Sequence, residues 1–335
     1  MKRKQLSRTI TFFALVVLLI ASVLLALMVG EINFTFADLF SVLNDKSSIE
    51  YTILSQIRVP RIVLGFAVGG SLSLAGVILQ GIYRNPLVEP YTLGVSGGAA
   101  LGVSFAIVFG LNTLLGAYVL PISGFVGAIL TILIVYFLAI NKKRFNINRM
   151  LLIGVMISFM ASSAMMLMLS TTTSDNLHSI IFWIMGSLDE PDSLLIKMVF
   201  YISIASLLIA YLFANPLNAL RLGESKAKHL GINTSLVIKL LFVLASLLAG
   251  ISVSVAGVIG FVGLIIPHLL RLFIGSDFRI LLVSSFLGGG IFLILCDVIS
   301  RTIISPNELP IGVITGMIGG LIFILVLSKP KVKIH

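Results

Sequence analysis

The 335-residue chain is 58% hydrophobic and only 11% charged, with a mean hydropathy of +1.15. A soluble domain carries about a quarter charged residues, so a water-soluble enzyme is excluded, and the net charge of +10 needs an explanation other than nucleic-acid binding. Barrel strands are excluded too, because they would be shorter and would alternate apolar with polar residues.

Apolar runs near the length of helix that crosses a bilayer core recur from end to end. They predict an all-α polytopic membrane protein with ten spans, at 10–29, 59–82, 92–110, 114–139, 149–170, 194–213, 234–251, 253–274, 279–299 and 309–327. The first run follows Met1-Lys-Arg-Lys, but it is too long for a cleavable signal core and ends in Val29-Gly30-Glu31 without a small-x-small site. It reads as a retained helix. No connection is long enough for a soluble domain, so residues 1–335 form a single transmembrane domain.

A cytoplasmic N-terminus puts most basic residues inside, among them Lys2, Arg3, Lys4, Arg84, Lys142, Lys143, Arg221, Lys226, Lys228, Lys329, Lys331 and Lys333. Lys46, Arg58, Arg61, Lys197 and Arg301 stay outside, and of the 13 acids only Glu89, Glu224 and Asp277 fall inside. This bias sets orientation and accounts for the positive charge, with both termini cytoplasmic.

Spans two and three flank Arg84-Asn-Pro-Leu-Val-Glu89-Pro90. Charge and unpaired backbone are costly in lipid, so Arg84, Asn85, Pro86, Glu89 and Pro90 belong at the inner face. Two readings stay open there: a tight turn capped by Asn85 and stiffened by the prolines, or a partner contact. The fifth span holds Met156, Met160, Met165, Met166 and Met168, adaptable side chains suited to packing or to a pathway. After it, a short outer-surface helix is expected at 176–190, with Trp183 at the interface.

The inner connection 214–233 begins at Pro216, which breaks the preceding helix. Its apolar residues Leu217, Leu220, Ala227 and Leu230 alternate with charge and predict one or two short amphipathic helices. Such helices rest on lipid headgroups or dock in a partner's groove. Span eight should bend through Ser254, Gly257, Gly260 and Gly263, ahead of Pro267. His268 has no Cys or carboxylate neighbour in sequence, so no metal site is expected. Glycines at 65, 69, 70, 76, 94, 97, 98, 102 and 288–290 favour close helix packing. The single cysteine, Cys296, allows no intrachain disulfide. Asp297 and Arg301 are spaced to pair on one helix face. Arg58, Arg61 and Arg301 read as outer interfacial anchors. There is no P-loop, so ATP-driven work would need another chain.

Several segments together carry a family resemblance: Arg58-Val-Pro-Arg61, Gly76-Val-Ile-Leu-Gln80, Arg84-Asn-Pro-Leu87, Glu89-Pro90, Leu93-Gly-Val-Ser-Gly-Gly98, Leu222-Gly-Glu224 with Ala227 and Leu230-Gly231, Gly260 to Arg271, Asp297 with Arg301, and Glu308-Leu-Pro-Ile-Gly312. In their order and spacing the chain resembles the FecCD-like permeases of binding-protein-dependent ABC importers for iron-siderophores, haem and cobalamin. The resemblance implies ten helices, several short or broken, in a cobalamin-importer-permease-like fold within a bacterial cytoplasmic membrane. It implies a dimer of this chain with itself or a sister chain, an extracytoplasmic binding protein, and cytoplasmic ATPase subunits that hold ATP and magnesium; this chain itself is expected to carry no cofactor and to be no enzyme. It maps ATPase coupling onto Leu222, Gly223, Glu224, Ala227, Leu230 and Gly231, with Ala227 and Leu230 seating the helix and Glu224 meeting the ATPase. It also implies that Arg58, Arg61 and Arg301 accept carboxylates of the binding protein. A ferric siderophore is the expected cargo, with haem or cobalamin as alternatives within the family; an ion-gradient-driven secondary transporter is the alternative of another class.

Overall fold

The computed structural model describes residues 2–116, 118–141, 144–145, 147–190, 192–304 and 307–328. The inner-loop Lys142 and Lys143 and the C-terminal Lys329, Lys331 and Lys333 lie outside them.

Helix α1 (Lys2–Met28) is followed by an outer segment with α2 (Phe36–Asn44) and α3 (Ile49–Thr52). A π-helical stretch, Ile53–Arg58, joins α3 to α4 (Val59–Tyr83) as one continuous rod. A 3-10 turn (Pro90–Leu93) leads into α5 (Val95–Val108), then α6 (Leu111–Leu115) and α7 (Val119–Ala139). Among the described residues, the one departure from all-helix is a minimal hairpin, β1 (Ile140–Asn141) against β2 (Arg144–Phe145). There follow α8 (Ile147–Thr171), α9 (Ser174–Met185), α10 (Ser193–Leu212), α11 (Ala214–Leu220) and α12 (Glu224–His229). The chain closes with α13 (Thr234–Ala256), α14 (Val262–Ile274), α15 (Phe278–Thr302) and α16 (Ile311–Ser328).

Among the described residues, seven helices are long and apolar enough to cross a membrane, and α5, α14 and α16 are three shorter apolar ones. These match the ten expected spans in order, with three corrected boundaries. The third span starts at Val95 rather than 92, because Gly94 with φ +85° begins the helix only after the 3-10 turn. The fourth starts at Val119, the residues before it being taken by α6. The break between the seventh and eighth falls at 257–261, not near 252, since α13 runs on to Ala256. Thirteen residues of α14 cover about 20 Å, and the residues at 257–261 can add up to about 17 Å. Helix and connecting chain together are long enough for the roughly 30 Å hydrocarbon core.

The core is built around α4, whose most apolar stretch is 89% buried. Its glycines explain how so many helices fit against it. A Cβ added at Gly69 would lie 2.2 Å from the Gly289 carbonyl oxygen, and one at Gly289 would lie 2.2 Å from that of Gly69. Here α4 and α15 touch backbone to backbone, the packing that small residues permit in membranes. Gly76 meets Gly263 of α14 in the same way, and Gly81 is enclosed by Leu217 and Phe278. In contrast, α1 and α8 are only 17% buried over their apolar stretches, leaving faces for lipid or another subunit.

Gly69→Val should overpack the α4–α15 contact and cost about 1–3 kcal/mol. Its unfolding temperature in detergent should fall well below that of a Gly320→Ala control, where an added Cβ finds its nearest neighbour only at 3.9 Å. Equal melting of the two proteins would contradict this packing.

Candidate functional sites at the two membrane faces

At the C-terminal end of α4, Arg84 adopts a left-handed conformation (φ 50°) and stops the helix. Asn85 Oδ1 then accepts the Leu87 N–H at 3.0 Å, closing an Asx turn. From Arg84 to Leu87 the turn is exposed, but Pro90 is buried and packs on Gly263. The Tyr91 hydroxyl accepts the Ile259 N–H at 3.3 Å. The segment therefore does two things: its first half forms surface, while its second half, Glu89 onward, re-enters the protein and braces the break before α14.

The 214–233 connection forms two helices. The break falls at Phe213, and Pro216 sits in the first turn of α11, where its missing N–H has no helical acceptor to lose. Polar contacts fix α11 to the junction between α14 and α15. Asn218 Nδ2 donates to Asp277 Oδ1 at 3.0 Å, and its Oδ1 accepts the Phe278 N–H at 3.1 Å. Arg221 donates to the Ser276 carbonyl at 2.6 Å, and Arg279 Nε to Asn215 Oδ1 at 2.8 Å.

Gly223, at φ +108°, turns the chain from α11 into α12; a Cβ there would lie 3.7 Å from Arg84 Nη1. The inner turn and the 214–233 segment thus share one surface. Ala227 is fully buried and seats α12 on its own chain. Leu230 does not: it is 64% exposed, and Leu222 is 58% exposed. Glu224 pairs with Lys228 at 2.9 Å and accepts from Thr234 Oγ1 at 3.2 Å. The Lys228 hydrogen bond holds the Glu224 carboxyl below its ordinary range, so it is ionised at neutral pH. Gly231 (φ +82°) ends the segment, with the Ile232 N–H bound to the Ala227 carbonyl at 3.2 Å.

At the opposite end of α4 the three arginines lie within the chain and not on its surface. Arg58, Arg61 and Arg301 are only 3%, 6% and 7% exposed. Arg58 donates to the Leu27 and Ile32 carbonyls and lies 4.5 Å over the Phe34 ring. Arg61 grips Glu308 with both terminal nitrogens, Nη1 at 2.6 Å from Oε1, and its Nε is 3.6 Å from Asp297 Oδ1. Arg301 Nε contacts Asp297 Oδ2 at 2.9 Å, and its Nη2 reaches the Ala26 carbonyl at 3.4 Å. Arg61 and Arg301 are neutralised by Asp297 and Glu308, since charges left unpaired at such depth are costly; Arg58 is held instead by the two backbone carbonyls and the Phe34 ring. The i,i+4 pair was visible in the sequence; the Arg61–Glu308 pair was not.

The outer helix runs 174–185, shorter than the expected 176–190, because Gly186 (φ +78°) ends it. There three elements meet: the Ile311 N–H donates to the Gly186 carbonyl at 3.2 Å and the Ser187 N–H to that of Ala256 at 3.0 Å.

Asp297→Asn leaves two buried guanidiniums short of a charge and should cost about 3–5 kcal/mol. Glu308→Gln, at a half-exposed carboxyl, should cost clearly less. Arg61 holds the Glu308 carboxyl below its ordinary range. The stabilisation it gives is therefore full above the free glutamate value of about 4.3 and is lost as pH falls through the lowered one. Thermal unfolding of both variants in detergent checks the order, and equal losses would contradict it.

The profile of the FecCD transport family matches residues 18–329. The haemin transport system permease HmuU of Yersinia pestis is 34% identical over 319 residues, covering 94% of this chain and 95% of that protein. The vitamin B12 import system permease BtuC of Salmonella typhi is 35% identical over 335 residues, covering 98% of each. Among solved structures, a metal-chelate-type ABC transporter in an inward-facing conformation superposes with a TM-score of 0.85 at 31% identity, covering 95% of this chain and 98% of that one.

Proposed function

Since the chain belongs to the FecCD transport family, as a permease subunit that works as a dimer with separate ATPase subunits and a binding protein, we propose that its inner surface at Leu222 and Leu230 is the ATPase-coupling site and that its cargo is an intact iron–siderophore complex. The observation that carries the coupling assignment is a pair of leucines left open to water on short helices that are otherwise tied firmly to the transmembrane scaffold. An exposed apolar side chain on a rigid support suits a partner's groove. Glu224 and Lys228 frame the same surface, Gly223 and Gly231 set its turns, and Arg84, Asn85, Pro86 and Leu87 extend it.

The outer arginines enter this reading as supports. Arg58, Arg61 and Arg301 fix the outer ends of α1, α4 and α15, on which the binding protein would sit; meeting its carboxylates directly would require exchanging Glu308 or Asp297 for the partner. The basic residues of the inner loops support cytoplasmic termini in a bacterial cytoplasmic membrane, and residues 1–335 act as one permease domain.

The cargo stays a metal chelate under either relative's name, and haem or cobalamin is the second reading. Gradient-driven transport has less support: Asp297, the acid placed within a span, is already committed to Arg61 and Arg301, and membrane proton relays need carboxyls free to exchange protons.

Leu222→Asp with Leu230→Asp should leave folding intact, since both side chains are exposed, while abolishing co-purification of the ATPase from native membranes. A charge buried in the interface should weaken binding about 100-fold or more. Full ATPase recovery with the double variant would overturn the coupling assignment.

A further inference from the structure

Helix α14 is the piece of the chain that joins the two faces. Its inner end runs into Ser276, Asp277 and Phe278, which hold α11 of the coupling segment. At its outer end, Val258 lies against Gly312 at the start of α16, and Gly257 against Trp183 and Gly186 at the end of α9. Within α14 stands Pro267.

A proline has no N–H, so the carbonyl four residues back loses its helical donor. That carbonyl belongs to Gly263. Gln80 supplies what is missing: its Nε2 donates to the Gly263 oxygen at 3.1 Å and lies 3.5 Å from that of Leu264. Two facing carbonyls require the NH2 end of the amide at this place. Gln80 is 3% exposed, so water does not compete. Gly76, one turn earlier on α4, makes the reach short, since a Cβ there would sit 1.9 Å from the Gly263 oxygen. Pro90 of the inner turn closes the other side of Gly263.

We propose that Gln80 is a positioning residue of the transport cycle: by bonding the carbonyl that Pro267 frees, it pins the first turn of α14 to α4 so that movement of the coupling segment is transmitted to the outer segment 257–261. The inference rests on the importer reading above. A pinned first turn makes α14 a lever with a fixed point. Unpinned, the same helix yields at its own break, and displacement at 276–278 is absorbed there.

The test uses the permease–ATPase complex captured from native membranes into nanodiscs, with ATP plus vanadate as probe and hydrogen exchange as readout. In the unsubstituted complex, trapping should change amide protection both at 214–231 and at 257–261 with 183–187. Gln80→Leu, similar in size but without a donor, should keep the inner response and reduce the outer one about tenfold, as expected when a buried carbonyl loses its partner. Pro267→Ala restores the helix's own N–H for Gly263. Added to Gln80→Leu, it satisfies Gly263 within α14 without retying α14 to α4, so the outer response should stay reduced, whereas a merely structural defect at the orphaned carbonyl would be repaired. An undiminished outer response in Gln80→Leu, or a recovered one in the double variant, overturns the proposal. Should Gln80→Leu fail to assemble, the double variant, its carbonyl satisfied, is still expected to assemble with the outer response reduced, and a full outer response there counts equally against the proposal. No inner response in the unsubstituted complex overturns the importer reading itself, and this inference with it.

Discussion

Backbone contact along α4 is the constraint on which the rest of the molecule depends. One helix with glycine on several faces lets α15 approach at Gly69, α14 at Gly76, and Leu217 with Phe278 close in at Gly81. Without a hydrophobic drive inside lipid, helices associate through such close packing and through polar contacts. Both operate here, because the N-terminal end of α4 carries Arg61 into the Asp297–Glu308 network and its C-terminal end turns at Arg84 beside Gly223 of the 214–233 segment. A rod held along its whole length gives the short helices on the inner face something firm to bear upon.

The same scaffold permits broken helices at membrane depth. Irregular backbone is tolerated there only where protein satisfies its polar groups. Tyr91 accepts the Ile259 N–H, Gln80 serves the Gly263 carbonyl, and Pro90 fills the space beside it. The sequence segments around Gly76–Gln80, Glu89–Pro90 and Gly260–Arg271 are thus three sides of one structure.

Ten spans were legible because hydropathy responds to length and composition alone, and the Asp297–Arg301 pair because helical spacing is a local rule. Arg61 with Glu308 was out of reach: the partners are 247 residues apart, and nothing local distinguishes a buried arginine from one facing water. The inner segment was half legible. Its alternation of leucine and charge announced short helices, but which apolar residue turned inward depended on the turn at Gly223, so Ala227 is buried while Leu230 stands out. The break falls at 257–261 and not near 252 because Ser254 stays within α13, its Oγ donating to the Ile251 carbonyl at 2.9 Å, and the helix ends only at Gly257 with φ +70°.

The most direct test of the central claim, that the 222–231 surface is cytoplasmic and covered by an ATPase, is site-specific labelling. The one native cysteine, Cys296, is buried, and Cys296→Ala gives a background for a single Leu230→Cys. A membrane-impermeant maleimide applied to sealed right-side-out and inside-out vesicles, with and without the ATPase stripped, reads both sidedness and cover. The account predicts labelling only from the cytoplasmic side and only after the ATPase is removed. Labelling from the outer side, or equal labelling with the ATPase in place, would contradict it.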